Sequence, residues 1–182
     1  MTKFINEFRV ESARLKDWDY SIPWWYFVTI NTKGHICWFG KVTKNKMVLS
    51  DLGKAAECFW KEIPKHYSFV ELDEHIVMPN HMHGILITSQ KGTRRDVACN
   101  VSTNRFSKIS PKQGSLSVII GSFKSAVAKQ IHETGCRKFS WQARFYDRII
   151  RSEEELYHIR KYIEQNPLKW EIEKNIPYNI EF

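Results

Sequence analysis

The sequence predicts an α+β domain: an antiparallel sheet with helices packed against it. Three observations carry this. Short runs rich in aromatic and β-branched residues come in adjacent pairs, and stretches with apolar residues at helical spacing separate those pairs. The length of 182 residues is enough for one domain with a full core and too short for two comfortable ones. The expectation is one domain over residues 1–182, with a charged lead-in segment at 1–22.

The elements follow in order. WWYFVTIN (24–31) reads as a strand, and TKGH supplies a turn before ICWFG, which together predict a hairpin. From Ser50 onward, Leu52, Ala55, Ala56, Phe59 and Ile63 recur at i, i+3, i+4, i+7 and i+11, a helix expected to end at Pro64. A strand over about 68–77, a Pro79-Asn80 turn and a strand from His81 to about Thr88 are close enough to pair as antiparallel neighbours. Residues 89–114 have no period and read as a long mobile basic loop.

Helical spacing returns with Leu116, Ile119, Ile120, Phe123, Val127 and Ile131, with Lys124 and Lys129 on the opposite face. WQARFYDRIIR (141–151) alternates as an edge strand. Ser152 and Glu155 have the spacing of a capping box, opening a last helix expected to stop near Asn166 because Pro167 follows. There are no internal repeats. The order strand, strand, helix, strand, strand, helix, strand, helix is that of a ferredoxin-like arrangement.

Composition narrows the setting. No apolar stretch approaches the roughly 20 residues needed to span a bilayer, and MTKFINEFRVESARLKDW has no apolar core like that of a signal peptide. Cys37, Cys58, Cys99 and Cys136 lie far apart, with no close pair, as expected of reduced thiols in a cytoplasmic protein. The 28 Lys and Arg against 20 Asp and Glu leave a net charge of +8, a balance suited to polyanionic partners.

The stretch HIVMPNHMHGILI (75–87) places two histidines in an otherwise apolar run. Strand alternation turns His81 and His83 to one face, about 7 Å apart along the chain, and Met82 to the other. Two imidazoles on one face suit a metal; two hydrogen-bonded core histidines are the plainer alternative. A structural zinc site would want cysteines at close spacing, and none is near. Two histidines leave open positions, which suits Mg²⁺ or Mn²⁺ completed by an oxygen ligand and a substrate phosphate.

The last helix offers that oxygen. On a helical wheel, Leu156, Ile159 and Ile163 form the buried stripe, and Tyr162 and Asn166 share one flank at i and i+4. Tyr157 lies on the other flank with Lys161. If this helix crosses the histidine face, the Asn166 carbonyl reaches the ion and the Tyr162 phenol points to the same place. If it does not, Tyr162 is packing and Asn166 is a helix stop.

VMPNHMHGILI, FYDRIIRSEEEL and KYIEQNP, with supporting echoes in YFVTINT, FGKV, MVLSDLGK and IIGSFKS, resemble the single-tyrosine HUH transposases. The likeness is to the repeat-associated tyrosine transposase branch of the IS200-like group and runs from about residue 20 to 170, weakest in the 89–114 loop. It implies an RRM-like, ferredoxin-type fold. It further implies His81 and His83 as metal ligands, Tyr162 as the nucleophile and Asn166 as the third ligand, with Gln165 as the fallback.

The implied activity is cleavage and rejoining of single-stranded or hairpin DNA through a 5′-phosphotyrosine with Mg²⁺ or Mn²⁺. A phenol is a weak nucleophile at neutral pH, so it needs such help. The repeat-associated branch implies a monomer, and related insertion-sequence enzymes a homodimer with shared sites. Candidate phosphate contacts are Arg144, Arg148 and Arg151, Lys124 in the middle helix, and the loop pair Arg94-Arg95. Trp24, Trp25 and Trp141 are either core or base-stacking residues. The competing readings are a non-catalytic RRM-like nucleic-acid-binding protein and a metal-dependent phosphodiesterase. The first would leave Tyr162 and Asn166 unexplained, and the second needs a base, for which Asp73 and Glu74 are the nearest carboxylates.

Overall fold

The apolar run Trp25–Asn31 forms β3, whose alternate residues Tyr26, Val28 and Ile30 are fully buried. It is central because both its edges are occupied, one by β7 (His81–Thr88) and the other by β8 (Tyr146–Ile149). With β6 (Val70–Val77) on the far side of β7, the four-stranded antiparallel sheet has the order β6-β7-β3-β8. The helices are α1 (Asp51–His66), α2 (Leu116–Glu133) and α3 (Glu153–Asn175). The computed structural model describes residues 3–4, 7–8, 18–89 and 114–175. Two short strands, β1 (Lys3–Phe4) and β2 (Glu7–Phe8), pair with each other.

The sequence β3-α1-β6-β7-α2-β8, with the first and third strands central, is the ferredoxin-like α+β plan that the element order predicts. One pairing differs. The expected hairpin between 24–31 and ICWFG does not form, since β7 and β8 already take the backbone groups of β3. Lys33–His35 instead makes a short 3-10 turn, and β4 (Gly40–Thr43) pairs with β5 (Lys46–Leu49) as a separate hairpin. Lys44 and Asn45 between them both have positive φ, 51° and 58°, the twist that two-residue hairpin loops require.

Two proline stops are also overridden. α1 continues through Pro64 to His66, and α3 continues through Pro167 to Asn175. Pro167 has no N–H for the Ile163 carbonyl, but Pro167 itself is buried and the extension carries Trp170 against His81, so packing outweighs the missing bond. Half of the predicted capping box opens α3, the Glu155 N–H donating to Ser152 Oγ at 3.1 Å; the Glu155 carboxylate reaches back one residue further than expected and accepts the Arg151 N–H at 2.8 Å.

The sheet has two covered faces. On one, α1 and α2 pack Trp60, Ile63, Ile119, Ile120, Phe123 and Val127 against Tyr26, Val28, Met82 and Leu86. Gly84 is obligatory there, because a Cβ would fall 2.2 Å from Trp60 Cζ2. On the other, the predicted α3 stripe of Leu156, Ile159 and Ile163 packs with Ile85 and Ile150, bordered by Trp25, Phe27 and Ile76. α3 also lies against β6 and the β4–β5 hairpin. No helix among the described residues is long and apolar enough to cross a membrane. Cys37, Cys58 and Cys136 are free thiols. Cys99, and all but the ends of the 89–114 loop, lie outside the described residues.

Candidate active site

The alternation of β7 decides which side chains meet. Met82 and Leu86 enter the α1/α2 core, so His81, His83 and Ile85 face α3. Their ring centroids stand 4.6 Å apart. Each imidazole is oriented through its Nδ1. For His83, Thr29 Oγ1 lies 2.8 Å away across the β3–β7 register, and the Phe27 ring stacks on the imidazole at 5.3 Å. For His81, Asn80 Oδ1 lies 2.7 Å away, and Asn80 is itself held by donating from Nδ2 to the His35 carbonyl at 3.1 Å. Since a carbonyl oxygen only accepts, His81 carries its proton on Nδ1 and keeps the Nε2 lone pair.

α3 supplies the opposite wall from one of its faces. The Tyr162 hydroxyl lies 3.4 Å from His83 Nε2, with the phenol edge-on to Phe27 and Lys169 Nζ 5.6 Å from the ring centre. One turn later, Asn166 is buried, with its side chain near enough to His81 to favour the charged form of that imidazole. A further turn on, Trp170 packs on the His81 ring. The helix therefore does cross the histidine face, and it does so within one chain. The Tyr162 side stays accessible: that residue is 40% exposed, whereas His83 is 4% and Asn166 6%.

Burial removes water from both imidazoles and disfavours their charged forms. His81 is pushed down to about 4, chiefly by burial, with the Asn166 side chain working in the opposite direction. His83 is pushed down to about 3 by burial and by the neighbouring His81. Both rings are neutral at pH 7 and offer lone pairs. Among the described residues no cluster of three or more His, Cys, Asp or Glu is placed to hold a metal ion. The groups within reach of one another are two neutral imidazoles and the Asn166 amide, which could add its oxygen to them. This set fits a divalent ion of the Mn²⁺ or Mg²⁺ kind whose remaining positions go to water and phosphate oxygen.

The other candidates are distributed as follows. Gln165 is exposed, so Asn166 rather than the fallback faces the imidazoles. Tyr157 is 56% exposed on the outer flank, with Lys161 Nζ 6.0 Å from its ring centre. Arg144, Arg148 and Arg151 are exposed near the β8 edge and the start of α3, with Arg148 Nε 2.5 Å from Glu155. Lys124, a candidate phosphate contact, has its ammonium committed within the chain: it donates to the carbonyls of Gln142 (2.6 Å), Ala143 (3.4 Å) and Arg144 (3.5 Å), and burial lowers its pKa. It secures the chain leading into β8. Trp141 is in the core. Arg94 and Arg95 lie outside the described residues. Asp73, beside the irregularity in β6, is ion-paired to Arg160 of α3, and Glu74 is exposed.

Thr29, Phe27 and Trp170 were not legible as site residues in the sequence, since their roles depend on register and on the extension of α3. Asn80 carried a signal in its position next to His81. The chain is 34% identical over 165 residues to an uncharacterized protein of Haemophilus influenzae, spanning 88% of this chain and 89% of that one. No protein-family model matches it. Among solved structures, a REP-associated tyrosine transposase bound to a REP hairpin shares its fold, with a TM-score of 0.56 at 18% identity over 89% of this chain and 74% of that one.

Proposed function

The chain belongs to one family with the Haemophilus influenzae protein, and we propose that it is a metal-dependent DNA strand transferase of the single-tyrosine kind, acting on single-stranded or hairpin DNA. The observation that carries the reading is the approach of the Tyr162 phenol to 3.4 Å from His83 Nε2, beside His81 and Asn166. The net charge of +8 and the fold shared with a transposase that binds a DNA hairpin support it.

In this reading Tyr162 is the nucleophile. Its oxygen bonds to phosphorus, the bond to the 3′ oxygen breaks, and a 5′-phosphotyrosine and a free 3′-OH result. The phenol gives its proton to solvent, to which Tyr162 is 40% exposed, and the departing 3′ oxygen takes one up from solvent. His81, His83 and Asn166 would hold a divalent ion, Mg²⁺ or Mn²⁺, which when bound supplies charge stabilisation for the phosphate and the departing oxygen. Attack by the 3′-OH of another strand then breaks the bond to Tyr162 and restores the phenol, so the phosphodiester is exchanged without ATP. Phe27 and Trp170 brace the imidazoles and keep water from the inner side. That a single chain holds every one of these groups supports the reading of a monomeric enzyme. Hydrolysis would need a base, and Asp73 is held by Arg160.

The test is a denaturing gel of the protein incubated with labelled hairpin DNA bearing single-stranded flanks and Mn²⁺. Wild type is expected to give a covalent adduct and Tyr162→Phe none. An adduct that persists in Tyr162→Phe overturns the proposal.

A further inference from the structure

We propose that Tyr146 is a stacking platform for an unpaired nucleobase of the DNA strand beside the cleavage position, an inference that rests on the strand-transferase reading and names a contact within it. Among the described residues β8 is an edge strand, paired only to β3. Phe145 and Ile149 pack into the α1/α2 core, so Tyr146 and Arg148 face the α3 side. Register then aligns Tyr146 with Thr29 and Thr29 with His83, a row that runs straight across the sheet from the edge to the imidazole. Two inter-strand spacings separate the ends of the row, about 10 Å.

The exposure of Tyr146 has no packing explanation. It is 52% exposed, and among the described residues no side-chain hydrogen bond or ring contact involves it. Its neighbours differ: Phe27 is stacked on His83, Trp141 is in the core, and Trp24 donates from its indole to the Ile150 carbonyl. α3 packs toward β6, at the opposite edge of the sheet from β8, and the Tyr162 side of the site is accessible. Arg144 and Arg148 stand two residues to either side of Tyr146, both exposed, with Arg148 also ion-paired to Glu155 at the start of α3. An aromatic face between cationic side chains, next to a phosphate-reactive site, is the chemistry that holds single-stranded nucleic acid: stacking takes the base and the cations follow the backbone. Because every base has a π-face, the contact tolerates any sequence.

The experiment uses the full chain and a hairpin oligonucleotide whose single-stranded flank carries 2-aminopurine at successive positions. Stacking on Tyr146 is expected to quench one flank position in wild type. Tyr146→Leu should abolish the quench and bind the flanked hairpin about tenfold more weakly, with affinity for a flankless hairpin unchanged. Tyr146→Phe should behave as wild type, because the ring face and not the hydroxyl is used. Tyr157→Leu, which removes an equally exposed phenol on the outer flank of α3, should change nothing. Unchanged quenching and affinity in Tyr146→Leu, with circular dichroism confirming its fold, overturns the proposal; so does loss of the quench in Tyr146→Phe. Binding is read in a Tyr162→Phe background without Mn²⁺, so a quench that depends on Tyr146 stands even if wild type forms no adduct. An adduct without that quench leaves the strand-transferase reading intact and removes only the platform.

Discussion

Thr29 Oγ1 lies 2.8 Å from Nδ1 of His83, on the other side of the ring from the Tyr162 hydroxyl at Nε2. A neutral imidazole has one donor and one acceptor nitrogen, so a partner at Nδ1 decides what Nε2 can do. When Nδ1 carries the proton and donates it to the Thr29 hydroxyl, Nε2 presents its lone pair to the site.

Thr29→Val keeps the shape of the side chain and removes that partner. Mn²⁺ affinity, titrated by electron paramagnetic resonance, is expected to fall by about 10- to 100-fold. The loss of one hydrogen bond should cost about 1 kcal/mol in stability. Unchanged Mn²⁺ affinity would mean that Thr29 does not set the tautomer.

Asn166 and Gln165 are adjacent in sequence and opposite in environment, one buried against His81 and the other exposed. Asn166→Leu is expected to remove the amide oxygen and abolish both Mn²⁺ binding and adduct formation, while Gln165→Leu leaves them within about twofold, as surface substitutions usually do. The reverse pattern would make Gln165 the ligand.

Acid should destabilise the fold in a specific window. His81 and His83, at about 4 and about 3, lie below the ordinary value of 6.5, so the folded state binds fewer protons than the unfolded chain as pH falls from about 6.5. Their contribution is fully present above that value and is lost on the way down, at up to about 1.4 kcal/mol per pH unit for each ring. His75, also lowered by burial, adds in the same direction. Urea midpoints should therefore drop between pH 7 and 5, and less so in a His81→Gln, His83→Gln double variant. Mn²⁺ binding by the folded protein should persist at pH 5.5, where an ordinary histidine pair would be mostly protonated. Equal slopes in wild type and the double variant would contradict the burial effect.

Much of the site was legible because it depends on local geometry. Strand alternation alone brings His81 and His83 to one face, and helical spacing alone puts Tyr162 and Asn166 on one flank of the stripe Leu156, Ile159, Ile163. The Ser152 half of the capping box was readable for the same reason, since Ser152 and Glu155 act over a single turn. The pairing of β3 was not, because any apolar run of the right length matches several partners, and the hairpin predicted with ICWFG lost to β7 and β8. The tie of Lys124 to the chain before β8 was not legible either, because the carbonyls that bind it come from residues 142–144, unconnected to it by any period.

The sequence by itself determined which residues share a face, since the periods of 2 and 3.6 are properties of the backbone. Tertiary structure decided that the flank carrying Tyr162 and Asn166 lies on the histidine face, that Thr29 stands behind His83, and that α3 runs on past Pro167 to bring Trp170 over His81. Those outcomes depend on which apolar surfaces bury one another across long stretches of chain, and no local pattern encodes that choice.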